Sequence, residues 1–275
     1  VFKMEKYRFI TDNPLNAVAL RSLTDEAVRV AKAIYEQNKL SLFKPSYYEM
    51  DFSEDNSIAI NVGKDKVYLV GKIDRVDVCE DGFRVIDYKT GDNSFGDYTD
   101  IASGKKLQLI VYMKAFMDKE HLKPMGAFYF PISNEYLDKN TDPSKRYTLK
   151  GVLENSMANI LNMDVGLNDA DYDSTNINIK TTGSGKIYQT TYYKRMCVSS
   201  EDIDYLIDYA INMCKKAIDS IVAGDISVTP LKATKSTCEY CQYKGICNYS
   251  KLYGNAQRKA EPYHEIKDLK ERSGK

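Results

Sequence analysis

Three residues in two short stretches have the types and spacing to do chemistry together. "GKIDRVDVC" carries Asp74, "FRVIDYKT" carries Asp87 and Lys89, and Glu80, Asp81 and Gly82 lie at the join. Strand alternation puts Val85, Asp87 and Lys89 on one face and Arg84, Ile86, Tyr88 and Thr90 on the other. Asp-Gly signals a two-residue hairpin turn. With Asp81 and Gly82 as the turn, Asp74 stands opposite Lys89 and Asp87 is its diagonal neighbour. With Glu80 and Asp81 as the turn, Asp74 stands opposite Asp87. Either register gathers Asp74, Asp87 and Lys89 on one face, apolar toward the turn through Val76, Val78, Phe83 and Val85. A three-residue loop would break this parity.

Two carboxylates so placed repel, and each resists ionising unless a cation sits between them. A divalent ion answers that need, and oxygen-only ligands with open positions suit Mg2+ or Mn2+. Such an ion acidifies a bound water and polarises a phosphoryl group, while the Lys89 amine can orient the water or stabilise developing charge. Together these parts fit phosphodiester hydrolysis. From spacing alone, a surface salt bridge between Asp74 and Lys89 fits equally well. Gln108 and Tyr112 shift that balance, because they lie four apart in "KLQLIVYMKAFM" and so share one face of an apolar helix. A Gln there needs a hydrogen-bonding partner unless it sits in an exposed first turn.

The elements that must hold these groups begin with a helix capped by Thr24 and running to about Asn38. "YYEMDF", "SIAINV", "KVYLVGKIDRVDVC" and "FRVIDYKT" predict an antiparallel meander. A loop rich in Gly, Asp and Ser, the buried helix bearing Gln108, and the strand "GAFYFPI" complete an α+β core with a mixed sheet over about 44–132. The polar stretch 133–185 is expected as an insertion or an interaction surface. "IYQTTYYKRMCV" alternates as a strand. Ser199 caps a long helix with a stripe from Ile203 to Ile221, ended by Gly224. One domain over 1–249 and a fraying tail over 250–275 are expected.

Composition bounds the partners. Lys plus Arg and Asp plus Glu both number 39 in 275 residues, so no global positive field draws the chain to a polyanion, and any such site is local. No apolar run approaches the roughly 18 residues of a membrane span, and the opening segment lacks the apolar centre of a signal peptide. A soluble, cytoplasmic chain without a membrane partner is expected. Val1 rather than Met opens it, so it reads as a piece of something longer.

Of the six cysteines, Cys238, Cys241 and Cys247 have C-x2-C-x5-C spacing, one donor short of the four expected for zinc. Cys79, Cys197 and Cys214 fit core or turn positions better than ligand positions. Asp169, Asp171 and Asp173 open like a calcium loop, but Ser174 replaces its Gly and Lys180 its Glu, which leaves a solvated loop. Lys105 and Lys106 precede the Gln108 helix, either as phosphate contacts or as a solvated pair.

In this order, "GKIDRVD", "VIDYKTG" and "LQLIVY" resemble the successive motifs of RecB-type nucleases in the PD-(D/E)xK superfamily. The resemblance implies a restriction-endonuclease-like core with a central mixed sheet flanked by helices. It implies Asp74 and Asp87 as metal ligands with the Tyr88 carbonyl, Lys89 as catalytic lysine, and Gln108 and Tyr112 as a pair engaging DNA. Glu49 stands at a family-like position. The family's upstream His is missing, since His121 and His264 both lie downstream. The cysteine spacing resembles the closing part of an iron–sulfur staple whose first Cys precedes the core. A [4Fe-4S] cluster, with Cys238, Cys241 and Cys247 as three ligands, is therefore implied for the full protein and not for this piece alone.

From about Lys44 to Tyr249 the arrangement is closely similar to the C-terminal nuclease domains of AddB-type helicase-nuclease subunits. That implies a Mg2+-dependent exonuclease acting at single-stranded DNA ends beside a helicase-nuclease A subunit, cutting the 5′-ended strand in break repair. With no P-loop here, this piece should neither bind ATP nor unwind DNA. The alternatives are a CRISPR-associated iron–sulfur exonuclease and a catalytically silent DNA-binding scaffold.

Overall fold

The computed structural model describes residues 14–273 apart from 54–56, 92–94, 133–141, 233–237, 240, 248 and 250–256. The opening residues, the expected turn "EDN", the first part of the polar stretch and the start of the tail thus lie outside it. Helix α1 spans Pro14–Leu40, so Thr24 is internal rather than a cap, and its hydroxyl donates back to the Leu20 carbonyl at 2.8 Å. Mid-helix threonines satisfy themselves in this way, which a capping signal does not reveal.

β1 (Lys44–Phe52), β2 (Ile58–Val62), β3 (Asp65–Leu69), β4 (Gly71–Cys79) and β5 (Gly82–Lys89) follow. They are not a simple meander. β1 pairs antiparallel with β4, while β2 and β3 form their own two-stranded sheet. Alternation within each strand was legible, but which strands pair is set by long-range contacts.

The short helix α2 (Tyr98–Ala102) and α3 (Gln108–Glu120) cross over to β6 (Pro124–Pro131), which lies parallel to β5. The main sheet continues with β7 (Lys150–Glu154), so part of the stretch expected as an insertion is a central-sheet strand. α4 (Met157–Met163), α5 (Thr191–Met196) and β8 (Cys197–Val198) come next. "IYQTTYYKRMCV" is thus half helix, capped by the Thr190 side chain on the Tyr193 N–H, with two strand residues at its end. The six-stranded order β1-β4-β5-β6-β7-β8 mixes parallel and antiparallel pairs.

α6 (Ser200–Val222) begins with the expected Ser199 cap, which forms a reciprocal box with Asp202. β9 (Leu231–Lys232), the one-turn α7 (Lys244–Cys247), β10 (Arg258–Lys259) and α8 (Ile266–Ser273) complete the order. α8 is docked rather than frayed: Leu269 is fully buried, and its carbonyl accepts from the Tyr205 hydroxyl on α6.

Two cores sandwich the main sheet. α3 and α6 bring Leu109, Ile110, Met113, Phe116, Leu206 and Ala210 against Val76, Val85 and Ala127 on one side. On the other, α4 and the flank of α1 cover Ile86, Phe128, Phe130 and Leu153. This is a mixed α/β architecture with helices on both faces. Among the described residues no helix is long and apolar enough to cross a membrane.

Candidate metal and catalytic centre

The β4–β5 ladder pairs Cys79 with Gly82, Val78 with Phe83, Val76 with Val85 and Arg75 with Ile86, so the turn is Glu80–Asp81. Gly82 serves a different purpose: a Cβ there would stand 2.3 Å from the Lys123 carbonyl, which instead accepts from the Phe83 N–H. Continuing the register by one step sets Asp74 beside Asp87. There the ladder gives way to a side chain, since Asp74 Oδ2 accepts from the Tyr88 N–H at 2.9 Å.

Asp87 is only 2% exposed. Lys89 Nζ lies 2.6 Å from its Oδ2 as an ion pair, and among the described residues no other donor reaches that buried oxygen. Burial holds the Asp87 carboxyl above the ordinary aspartate value, the Asp74 charge adds to the rise, and Lys89 opposes it. A buried carboxylate oxygen with unused lone pairs, beside a second carboxylate, is what a bound cation would satisfy.

Lys89 Nζ also donates to Gln108 Oε1 at 3.1 Å, and Gln108 Nε2 donates to the Tyr112 hydroxyl at 2.8 Å. The i, i+4 pair on α3 therefore reaches the strand lysine, which the sequence did not reveal. A lysine can only donate, so it fixes the Gln108 amide with oxygen inward and NH2 toward Tyr112. The phenol oxygen is then an acceptor, and its own hydrogen is left to give elsewhere. Burial, reinforced by the Asp87 and Asp74 charges, raises the Tyr112 pKa and keeps the phenol protonated.

The flanking residues divide. Lys106 Nζ stands 5.6 Å from the Tyr129 ring centroid, and Lys89 Nζ stands 5.2 Å from the same centroid. Lys105 instead pairs with Asp100 at 3.6 Å. Glu49 lies abreast of Asp74, between the Tyr48–Arg75 and Met50–Ile73 pairs, and has a left-handed φ of 47°. Its exposed carboxylate pairs with Lys72 at 3.6 Å. His121 caps the C-terminal end of α3, opposite the end that carries Gln108, in a left-handed conformation.

Sequence reasoning missed the opposite face of the same hairpin. Arg75 Nε and Nη2 grip Asp77 Oδ1 and Oδ2 at 2.5 and 2.8 Å, and Arg84 Nε and Nη2 reach Asp77 Oδ2 at 3.0 and 2.8 Å. Asp77 is 0% exposed. The signal was present: Arg75, Asp77 and Arg84 share the face of the buried Ile86, and charges there must pair with one another.

Cys238 and Cys247 are half-buried, Cys241 is exposed, and no cysteine forms a disulfide. Burial pushes the Cys197 thiol up to about 12, as suits a core residue. Among the described residues no three His, Cys, Asp or Glu side chains are grouped to hold a metal. The cysteine trio by itself does not fit a cluster that takes four thiolates, whereas the Asp74–Asp87 pair does present donors suited to a hard cation. The calcium-like loop is tied at Asp173 by a protein cation, with Lys145 Nζ 2.5 Å from its Oδ1.

Residues 6–248 match the PD-(D/E)XK nuclease superfamily. Among similar curated proteins, the B subunit of the ATP-dependent helicase/deoxyribonuclease of Caldanaerobacter subterraneus subsp. tengcongensis is 31% identical over 94% of this chain and 23% of its own length. The protein of the same name from Clostridium acetobutylicum is 30% identical over 88% of this chain and 22% of its own length. Its namesake from Exiguobacterium sibiricum is 26% identical, with 92% and 24% covered. The chain thus spans about a quarter of the length of these relatives.

Proposed function

Because the chain belongs to the PD-(D/E)XK nuclease superfamily, we propose that Asp74, Asp87 and Lys89 form a Mg2+- or Mn2+-dependent DNA-hydrolysing centre. The observation that carries this reading is Asp87 Oδ2, buried, met by the Lys89 amine and by no other donor among the described residues, beside the Asp74 carboxylate.

In the reaction a water oxygen bonds to phosphorus, the bond from phosphorus to the leaving sugar oxygen breaks, and that oxygen takes up a proton. A divalent ion bound by Asp74, Asp87 and the Tyr88 carbonyl would supply charge neutralisation and a more acidic water. Lys89, held between Asp87 and Gln108, donates its remaining hydrogens to the attacking water or to a phosphoryl oxygen. Gln108 keeps the lysine aimed. Tyr112, an acceptor toward Gln108, turns its own O–H to the DNA backbone.

The relatives' names support a wider setting, in which this chain is the nuclease part of a helicase/deoxyribonuclease B subunit. There it would trim single-stranded ends, as a cytoplasmic exonuclease on the 5′-ended strand, beside a helicase-nuclease A subunit. In that longer protein Cys238, Cys241 and Cys247 would supply three ligands of a [4Fe-4S] cluster and a cysteine elsewhere the fourth. Iron and sulfide analysis of the anaerobically purified longer protein checks this.

The main test is incubation of single-stranded DNA with the chain and Mg2+ or Mn2+. Metal-dependent cleavage lost in Asp87→Ala is the expected result, together with loss of Mn2+ binding by electron paramagnetic resonance. Mn2+ binding equal in wild type and Asp87→Ala would sink the assignment.

A further inference from the structure

Extending the nuclease reading, on which it rests, we propose that Arg75 is a positioning residue for the carboxylate pair, acting through the sheet by way of Tyr88. The two side chains lie on the face opposite Asp74 and Asp87.

Arg75 cannot swing. Two of its nitrogens grip Asp77, and Asp77 is held from its other side by Arg84. A guanidinium fixed by two parallel bonds to a carboxylate has its plane set, so its remaining hydrogens point in fixed directions. One of them, on Nη1, points to the Tyr88 hydroxyl at 3.3 Å, and Nη2 also reaches Asn38 Oδ1 at 3.2 Å. The Tyr88 ring meets Phe130 edge-on, with centroids 5.4 Å apart. Its side chain is therefore held at the tip by charge and along the ring by packing.

The other end of the same residue is part of the site. The Tyr88 N–H donates to Asp74 Oδ2 at 2.9 Å, where strand pairing has already stopped at Arg75–Ile86. Main-chain pairing to β4 no longer sets the peptide between Asp87 and Tyr88 at this point. Its place depends on the Tyr88 anchor below, on β6 beside it, and on Asp74 above. Arg75 is itself the neighbour of Asp74 in β4, so one residue step couples the buried ion cluster to both ends of this link. The cluster thus sets the spacing of Asp74 and Asp87 from beneath.

Tyr88→Phe is the clean test, because it removes the hydroxyl and leaves the ring against Phe130. Mn2+ affinity of the whole chain, measured by electron paramagnetic resonance, should fall about tenfold. The thermal midpoint should stay near the wild-type value, and half-maximal DNA cleavage should need more Mn2+. Arg75→Lys, which keeps the charge and loses the fork, should show the same loss of Mn2+ affinity. Asn38→Ala, which removes a contact of Arg75 that does not lead to the site, should not. Tyr88→Phe that binds Mn2+ as wild type does overturns the proposal while leaving the nuclease reading intact. A wild-type chain whose Mn2+ binding does not depend on Asp87 overturns both.

Discussion

The two faces of the β4–β5 hairpin carry the same kinds of residue and put them to opposite uses. Below the sheet, Asp77 spends both carboxylate oxygens on two arginines, with nothing left to offer a ligand. Above it, Asp87 is almost as buried, yet among the described residues one oxygen is met only by a partly exposed lysine. Burial of a carboxylate is therefore not by itself a mark of a site. What separates the faces is whether its partners complete it.

If this contrast holds, the largest effect belongs to the closed face. Asp77→Ala leaves two buried guanidiniums facing each other without their shared carboxylate, and breaking a buried pair in this way costs about 3–5 kcal/mol. Denaturant unfolding should show that loss. The triple change of Arg75, Asp77 and Arg84 to apolar residues of similar volume should recover much of it. A cost under about 1 kcal/mol for Asp77→Ala would erase the distinction between the faces.

How much of this was legible depended on range. Strand parity put Asp74, Asp87 and Lys89 on one face from local sequence, and the structure places them so because a two-residue turn preserves parity in either register. Gln108 and Tyr112 were legible as a pair from helical spacing, but their link to Lys89 was not, since it spans 19 residues of chain. The Arg75–Asp77–Arg84 cluster passed unnoticed because single strand charges look solvated until the neighbouring layer is known. The same limit hid β7, whose partners β6 and β8 come from distant parts of the chain. It also hid α5, where a Thr190 cap overrode an alternating pattern.

A middle-sized effect belongs to the link between helix and open face. Gln108→Leu removes one acceptor from Lys89 and the donor to Tyr112 while Asp87 still holds the amine. One hydrogen bond to a charged group corresponds to about a tenfold loss in cleavage rate. Mn2+ affinity should not change, because neither Asp74 nor Asp87 loses a contact. Single-turnover cleavage at saturating Mn2+ measures the first, and an equal loss of Mn2+ affinity would place Gln108 among the metal-holding groups instead.

The smallest effect is also the one that separates the faces by sign. In metal-free protein the Asp87 charge is held against burial and against Asp74, so its ionised form works against folding at neutral pH. Asp87→Asn keeps the shape and removes that charge, and the half-exposed Lys89 can turn to water when its partner is gone. Folded stability in chelator should therefore rise slightly, read as a higher Tm than wild type. The sign of the pH dependence follows. A carboxyl raised in the folded state binds its proton there more tightly than in the unfolded chain, so wild type gains relative stability as pH falls through the raised value. The advantage of Asp87→Asn should shrink over that interval. Asp77→Asn, which weakens the bonds of a completed carboxylate, should lose stability at neutral pH. If both substitutions moved Tm in the same direction in chelator at neutral pH, the open face would be just another buried ion pair.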